Sequence, residues 1–203
     1  MTLGKDPVVP AKPPAPPVMV SDPDAVTSPP SCGATIPAGM DEAAEVAQRL
    51  DAAVANGSSI AFVAEYGDRR CAFLGDAHAP TISSSLSRMA KGYAEDRLRL
   101  DAVKLAHHGS EANTTTTLLR KIDCHNYLVS TDGSIFGHPD DTALKRVVRE
   151  ARPATLFFNY ASERTIKWRD PHAQASLNYR AFYPVRAESG IEVDLLATSS
   201  SAA

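Results

Sequence analysis

The sequence predicts an α/β fold, and three observations carry that expectation. Short apolar runs of strand length recur between Ser59 and Phe158, segments of helical periodicity separate most of them, and three of the runs end in loops carrying Asp or His beside Gly. Such a repetition sets the loops at the carboxyl ends of the strands, the edge where open α/β sheets hold their ligands.

The chain has 203 residues, enough for one domain with a tail and for a sizeable core. Ten of its fifteen prolines fall in residues 1–38, including Pro13, Pro14, Pro16 and Pro17, with almost no aromatic residue. A segment of that composition buries too little apolar surface to offset its ordering entropy, so a disordered proline-rich arm is expected there. Residues 198–203 are expected to be a second disordered tail, which leaves residues 39–197 as the folded part. No apolar run reaches the roughly 18 to 20 residues needed to cross a bilayer. The first residues also lack the charged-then-apolar pattern of a signal peptide, so a cytoplasmic location and no membrane partner are expected. Cys32, Cys71 and Cys124 are too few and too far apart for a disulfide framework or a Cys-built zinc site. Cys71, inside an apolar run, is expected as a small core residue.

Charge is spread unevenly around a net value of −3. Lys plus Arg against Asp plus Glu number 9 against 13 in residues 1–103, 12 against 8 in 104–186, and 0 against 3 in 187–203. The locally basic middle would suit a phosphate-bearing substrate, although basic side chains scattered over helix faces give the same count.

Taken in order, residues 41–55 space Ala43, Ala44, Val46, Ala47, Leu50, Ala53 and Val54 as one narrow helical face, stopped by Asn56-Gly57. Residues 59–66 and 70–74 are apolar runs around Gly67-Asp68-Arg69 and predict a β-hairpin. The second strand ends in Gly75-Asp76, and a carboxylate just past a buried strand needs a positive partner. A metal ion is one; capping the helix expected over residues 81–91, or pairing with an Arg, are the alternatives. Residues 101–106 form the next strand, running into His107-His108-Gly109-Ser110. Two adjacent imidazoles must satisfy four ring nitrogens between them, one ring able to bind a metal while the other orients it or handles a proton. A helix is expected from Asn113 or one of the following threonines through Leu118, Leu119 and Ile122.

Residues 126–130 predict a third strand, followed by Thr131-Asp132-Gly133-Ser134 and Gly137-His138-Pro139. Ala143, Leu144, Val147, Val148 and Ala151 line a helix that Pro153 stops, and residues 155–158 predict a fourth strand. Trp168, His172 and the aromatics of residues 179–183 suit either a substrate wall or a core edge. His125 and His172 are expected at the surface, and residues 190–196 as a final edge strand.

Phe-Leu-Gly-Asp at residues 73–76, the strand leading into His-His-Gly-Ser, Ser-Thr-Asp-Gly at 130–133 and Gly-His-Pro at 137–139 together resemble metallo-β-lactamase-fold hydrolases. Within that superfamily they are most similar to the competence-type branch, the hydrolase domain of bacterial DNA-uptake channel proteins and its stand-alone relatives. The resemblance covers residues 57–160. It implies that Asp76 matches a carboxylate bridging two metal ions and that one of His107 and His108, with His108 preferred, matches the last metal-binding histidine. His138 matches a histidine at the rim, and Ser110 would orient the His-His loop. The implied chemistry is hydrolysis of a phosphodiester, in a nucleic acid or another substrate, by hydroxide on zinc or manganese, up to two ions. The family's first half supplies a His-x-His-x-Asp-His cluster that has no counterpart here, since all six histidines lie beyond residue 77. The resemblance is therefore to the second half of an αββα sandwich, a mixed sheet with flanking helices that holds metal weakly by itself. It would be completed by a second chain or by self-association; the other reading is a half-domain without catalysis, kept as a binding or regulatory module.

Overall fold

The computed structural model describes residues 53–186 and 190–196; the expected proline-rich arm, most of the 41–55 helix, Cys32 and the terminal tail lie outside them. Helix α1 is the single turn Val54–Gly57. The hairpin forms as expected: β1 (Phe62–Tyr66) and β2 (Arg69–Phe73) pair antiparallel, Tyr66 opposite Arg69, around Gly67 and Asp68. From β2 onward every neighbouring pair in the main sheet is parallel. Its order is β1-β2-β4-β6-β7-β8, with β4 at Ala102–Lys104, β6 at Asn126–Val129, β7 at Ala154–Phe158 and β8 at Tyr179–Phe182. The protein is α/β with a mixed sheet and flanking helices.

Crossovers between the parallel strands run through α2 (Ala79–Gly92), α3 (Thr116–Leu119) and α4 (Asp141–Glu150), and through α5 (Glu163–Ile166) and α6 (Pro171–Leu177) before β8. The apolar spacing read in α4 is the buried face, Ala143, Leu144, Val147 and Val148. Two segments depart from expectation. The helix expected to reach Ile122 stops at Leu119, and Ile122 pairs extended with Leu98 in a small parallel pair, β5 (Ile122–Asp123) on β3 (Leu98–Arg99). The β-branched side chain fills the core from that extended backbone, fully buried. Residues 190–196 form no strand: Ile191 N–H donates to Asn159 Oδ1 and Leu196 N–H to Asp194 Oδ1, so side chains take the bonds a ladder would need. The edge is β8, whose Tyr179 is buried and donates its hydroxyl to the Trp168 carbonyl at 3.1 Å. Trp168 is core, edge-on to Tyr179, and not a substrate wall.

The register divides the sheet into two unlike faces. Val63, Ala72, Val103, Tyr127, Leu156 and Ala181 stand opposite one another across all six strands and belong to the core with Ile82, Leu86, Leu119, Leu144 and Val147. One residue along, Phe62, Phe73, Lys104, Leu128, Phe157 and Phe182 form an equally continuous row on the other face. None of these six is buried, and Phe62 is 54% exposed. Phe62 stacks on Phe73 and Phe157 on Phe182, with ring centroids 5.0 and 5.4 Å apart. Cys71 lies half-buried on this second face and not in the core, its thiol pushed up chiefly by burial. Among the described residues no helix is long and apolar enough to cross a membrane.

Candidate functional site

Because β2, β4 and β6 are parallel, the loops after Phe73, Lys104 and Val129 leave the sheet at one edge. Backbone bonds join them there. His107 N–H donates to the Gly75 carbonyl at 2.8 Å, and Asp140 N–H donates to the Gly109 carbonyl at 3.0 Å. The loops carrying Asp76, His107, His108, Ser110 and His138 thus meet at one sheet edge, while His125 and His172 are exposed, as expected.

The His-His turn is strained. His107 (φ 44°), His108 (φ 56°) and Gly109 (φ 87°) are three successive left-handed residues, a conformation costing a non-glycine residue about 1 to 2 kcal/mol. Gly109 is required by contact as well, since a Cβ there would lie 2.9 Å from Pro139 Cβ. Ser110 closes the turn: its N–H donates to the His107 carbonyl, and its own carbonyl accepts from Thr114 N–H, both at 2.9 Å. Buried Arg146 of α4 donates to the Glu111 and Thr114 carbonyls and anchors the loop from below.

Both imidazoles of the His-His turn are oriented through Nδ1. His108 Nδ1–H donates to the Ser130 carbonyl at 2.7 Å; a carbonyl can only accept, so in the neutral ring Nε2 keeps the lone pair. His107 Nδ1 meets Asn113 Oδ1 at 3.2 Å and the Asn56 amide at 3.5 Å. Asn113 is fully buried, and its Nδ2 donates to the Asp76 and Ala77 carbonyls at 3.3 and 3.1 Å. Those two bonds turn its oxygen toward His107, so the shorter contact sets the same tautomer there. His138 Nδ1 lies 3.4 Å from Asp140 Oδ2, near enough for charge to act on a protonated ring but without hydrogen-bond geometry. The His107 ring stands 5.2 Å from His138 and 6.4 Å from His108, centroid to centroid.

Asp76 is held by its backbone, its N–H donating to Ser59 Oγ at 2.8 Å. Neither alternative read for its side chain is realised: His78 occupies the N-cap position of α2, and no arginine pairs with the carboxylate among the described residues. Its charge acts on Lys104, whose ammonium burial holds below the usual lysine range and Asp76 partly restores. Lys104 Nζ donates to the Leu105 carbonyl at 2.9 Å and belongs to the row on the open sheet face. That face therefore runs up to the site.

The sequence reading missed Asn113 and Asp140. Of the two helix caps the sequence offers, Asn113 or a following threonine, Thr115 takes the role by accepting from Leu118 N–H. Asp140 occupies the N-cap of α4 but makes no capping bond; its Oδ2 accepts from Glu111 N–H at 2.8 Å, which binds the His138 loop to the His-His loop. An amide or a carboxylate in a polar loop carries no sequence signal that separates these uses from ordinary capping.

A catalytic zinc normally takes three protein ligands plus water. Among the described residues no three His, Cys, Asp or Glu side chains form a group that could hold an ion, so the donors present do not fit a complete metal site. Comparison with models of known families, with curated proteins and with solved structures finds no match to this chain.

Proposed function

We propose that this chain is the second half of a metallo-β-lactamase-like phosphodiester hydrolase of the competence type, contributing Asp76 and His108 to a donor set that a separate half completes. The observation that carries the reading is the row from Phe62 to Phe182, four aromatic rings with Leu128 and Lys104 between them, on a sheet face outside the helix-covered core. In a four-layer αββα arrangement a second sheet lies on that face, and its strand ends would bring further donors to the same edge. Zinc or manganese, held weakly by this chain alone, is the cofactor of this reading, and the cytoplasm its location, in keeping with free thiols at Cys71 and Cys124. What the chain's own residues supply is orientation, His108 through Ser130 and His107 through Asn113.

Calorimetric titration of the full chain with zinc is expected to show weak binding, which Asp76→Ala and His108→Ala each lower by about tenfold or more. Bis-p-nitrophenyl phosphate is expected to be hydrolysed little. Robust turnover surviving both substitutions would place the site elsewhere, and zinc binding untouched by both would end the reading. A half-domain without catalysis is the second reading, favoured by the lack of a three-ligand group among the described residues. Adding a chain that carries the His-x-His-x-Asp-His cluster separates the two: turnover appears under the first and not under the second.

The open face yields a further expectation. Exposed aromatic surface next to β1, an edge strand among the described residues, favours association, so the purified chain is expected to self-associate. Phe62→Lys should shift it toward monomer in light scattering. A monodisperse wild-type monomer contradicts this.

A further inference from the structure

The loop at residues 131–139 presents its largest apolar side chains to solvent: Ile135 is 81% and Phe136 71% exposed. The loop is nonetheless well bonded. Gly133 N–H donates to Thr131 Oγ1, Ser134 N–H to Asp132 Oδ1 and Gly137 N–H to the Gly133 carbonyl, at 2.9 to 3.1 Å. Isolated exposed apolar side chains are ordinary; what sets this ring apart is its position. That ring leans over the site, its centroid 6.3 Å from His107 and 6.4 Å from His138.

Arg164 of α5 lies along the same loop. A Cβ on Gly133 would meet its Cγ at 2.9 Å, and one on Gly137 would meet its Nη2 at 3.0 Å, so the two glycines make the channel in which the side chain runs. Its guanidinium makes no hydrogen bond or ion pair among the described residues. An open aromatic face at Phe136 and an uncommitted guanidinium against the next residue, Gly137, thus stand beside two imidazoles, His107 and His138.

We propose that Phe136 and Arg164 form a nucleotide subsite, the ring stacking on a base and the guanidinium pairing with the adjoining phosphate. Stacking serves every base, since each has a π-face, and Arg supplies a planar fork matched to phosphate oxygens. An apolar protein partner would be served by Ile135 and Phe136 alone; the guanidinium and the imidazoles beside them favour an anionic aromatic ligand. The inference rests on the function proposed above for placing a phosphodiester among these loops, but it needs no metal.

The test is fluorescence anisotropy of the full chain with a fluorescein-labelled oligothymidylate of about twelve nucleotides, in the presence of EDTA and at several salt concentrations. Phe136→Ala is expected to weaken binding about tenfold. Arg164→Gln, which keeps the stem over Gly133, should weaken it and lower the log–log salt slope by about 0.7, the value for one phosphate of a single strand. Arg180→Gln on the exposed face of β8 should change neither. Displacement by thymidine 5′-monophosphate assigns the subsite to a free nucleotide, and displacement only by unlabelled oligonucleotide assigns it to a strand. The inference fails if the wild-type chain does not bind, if Phe136→Ala binds like wild type, if Arg180→Gln costs as much as Arg164→Gln, or if inorganic phosphate competes as well as the oligonucleotide. Because chelator is present throughout, failure of the zinc titration leaves this result standing. Loss of binding here, with the zinc titration intact, removes this inference alone.

Discussion

Gly75→Ala should be among the most damaging single-methyl changes in the protein, lowering the free energy of unfolding by about 3 kcal/mol. Gly75 has φ +54°, and a Cβ there would lie 2.5 Å from Ser59 Oγ and 2.6 Å from the Ile60 carbonyl oxygen. The second obstacle is backbone and cannot rotate away. Relief has to come from moving the Asp76 loop, yet the Asp76 N–H bond to Ser59 and the Gly75 carbonyl bond to His107 tie that loop on both sides. Gly67→Ala is the internal comparison: its φ is +59°, but nothing lies within 4 Å of the added methyl, so only the left-handed strain of about 1 kcal/mol should appear. Urea denaturation of the two variants measures the difference, and equal losses would show that the close approach at Gly75 carries no weight.

Asn113→Ala should cost about 2 to 3 kcal/mol and change the chemistry of His107 as well. Its Nδ2 donates to the Asp76 and Ala77 carbonyls and its Oδ1 accepts from His107, at a fully buried position where groups deprived of a bond find no ready replacement. Long-range proton–nitrogen NMR should report His107 as the Nδ1–H tautomer in the wild type and a shift toward Nε2–H in Asn113→Ala. His108, held by the Ser130 carbonyl, should keep its tautomer in both. A merely structural asparagine would alter stability and leave the His107 nitrogen shifts alone. Asn113→Asp adds a second check: it can still accept from His107 but cannot donate to the two carbonyls, so it should retain the tautomer and lose much of the stability.

The parallel strands, the hairpin and the buried face of α4 were legible because each rests on a local period: apolar runs of strand length, a Gly-Asp turn, and Ala143, Leu144, Val147 and Val148 at helical spacing. The three loops were legible for the same reason, since every one directly follows such a run. Residues 190–196 misled because alternation alone does not make a ladder. Strand formation needs a neighbour, and Tyr179–Phe182 already occupies the edge beside β7.

By itself the sequence determined an α/β chain whose Asp76, His107, His108, Ser110 and His138 stand at consecutive strand ends, because periodicity and adjacency are local properties of a polymer. Only the tertiary structure decided how those residues are held: which nitrogen of His107 and of His108 faces a fixed amide or carbonyl, that Asn113 and Asp140 join the loops, and that Arg164, distant in sequence, runs along Gly133 and Gly137. Side-chain hydrogen bonds between loops, and the row of aromatics along one face of the sheet, depend on register between strands far apart in the chain. No window of sequence contains both partners.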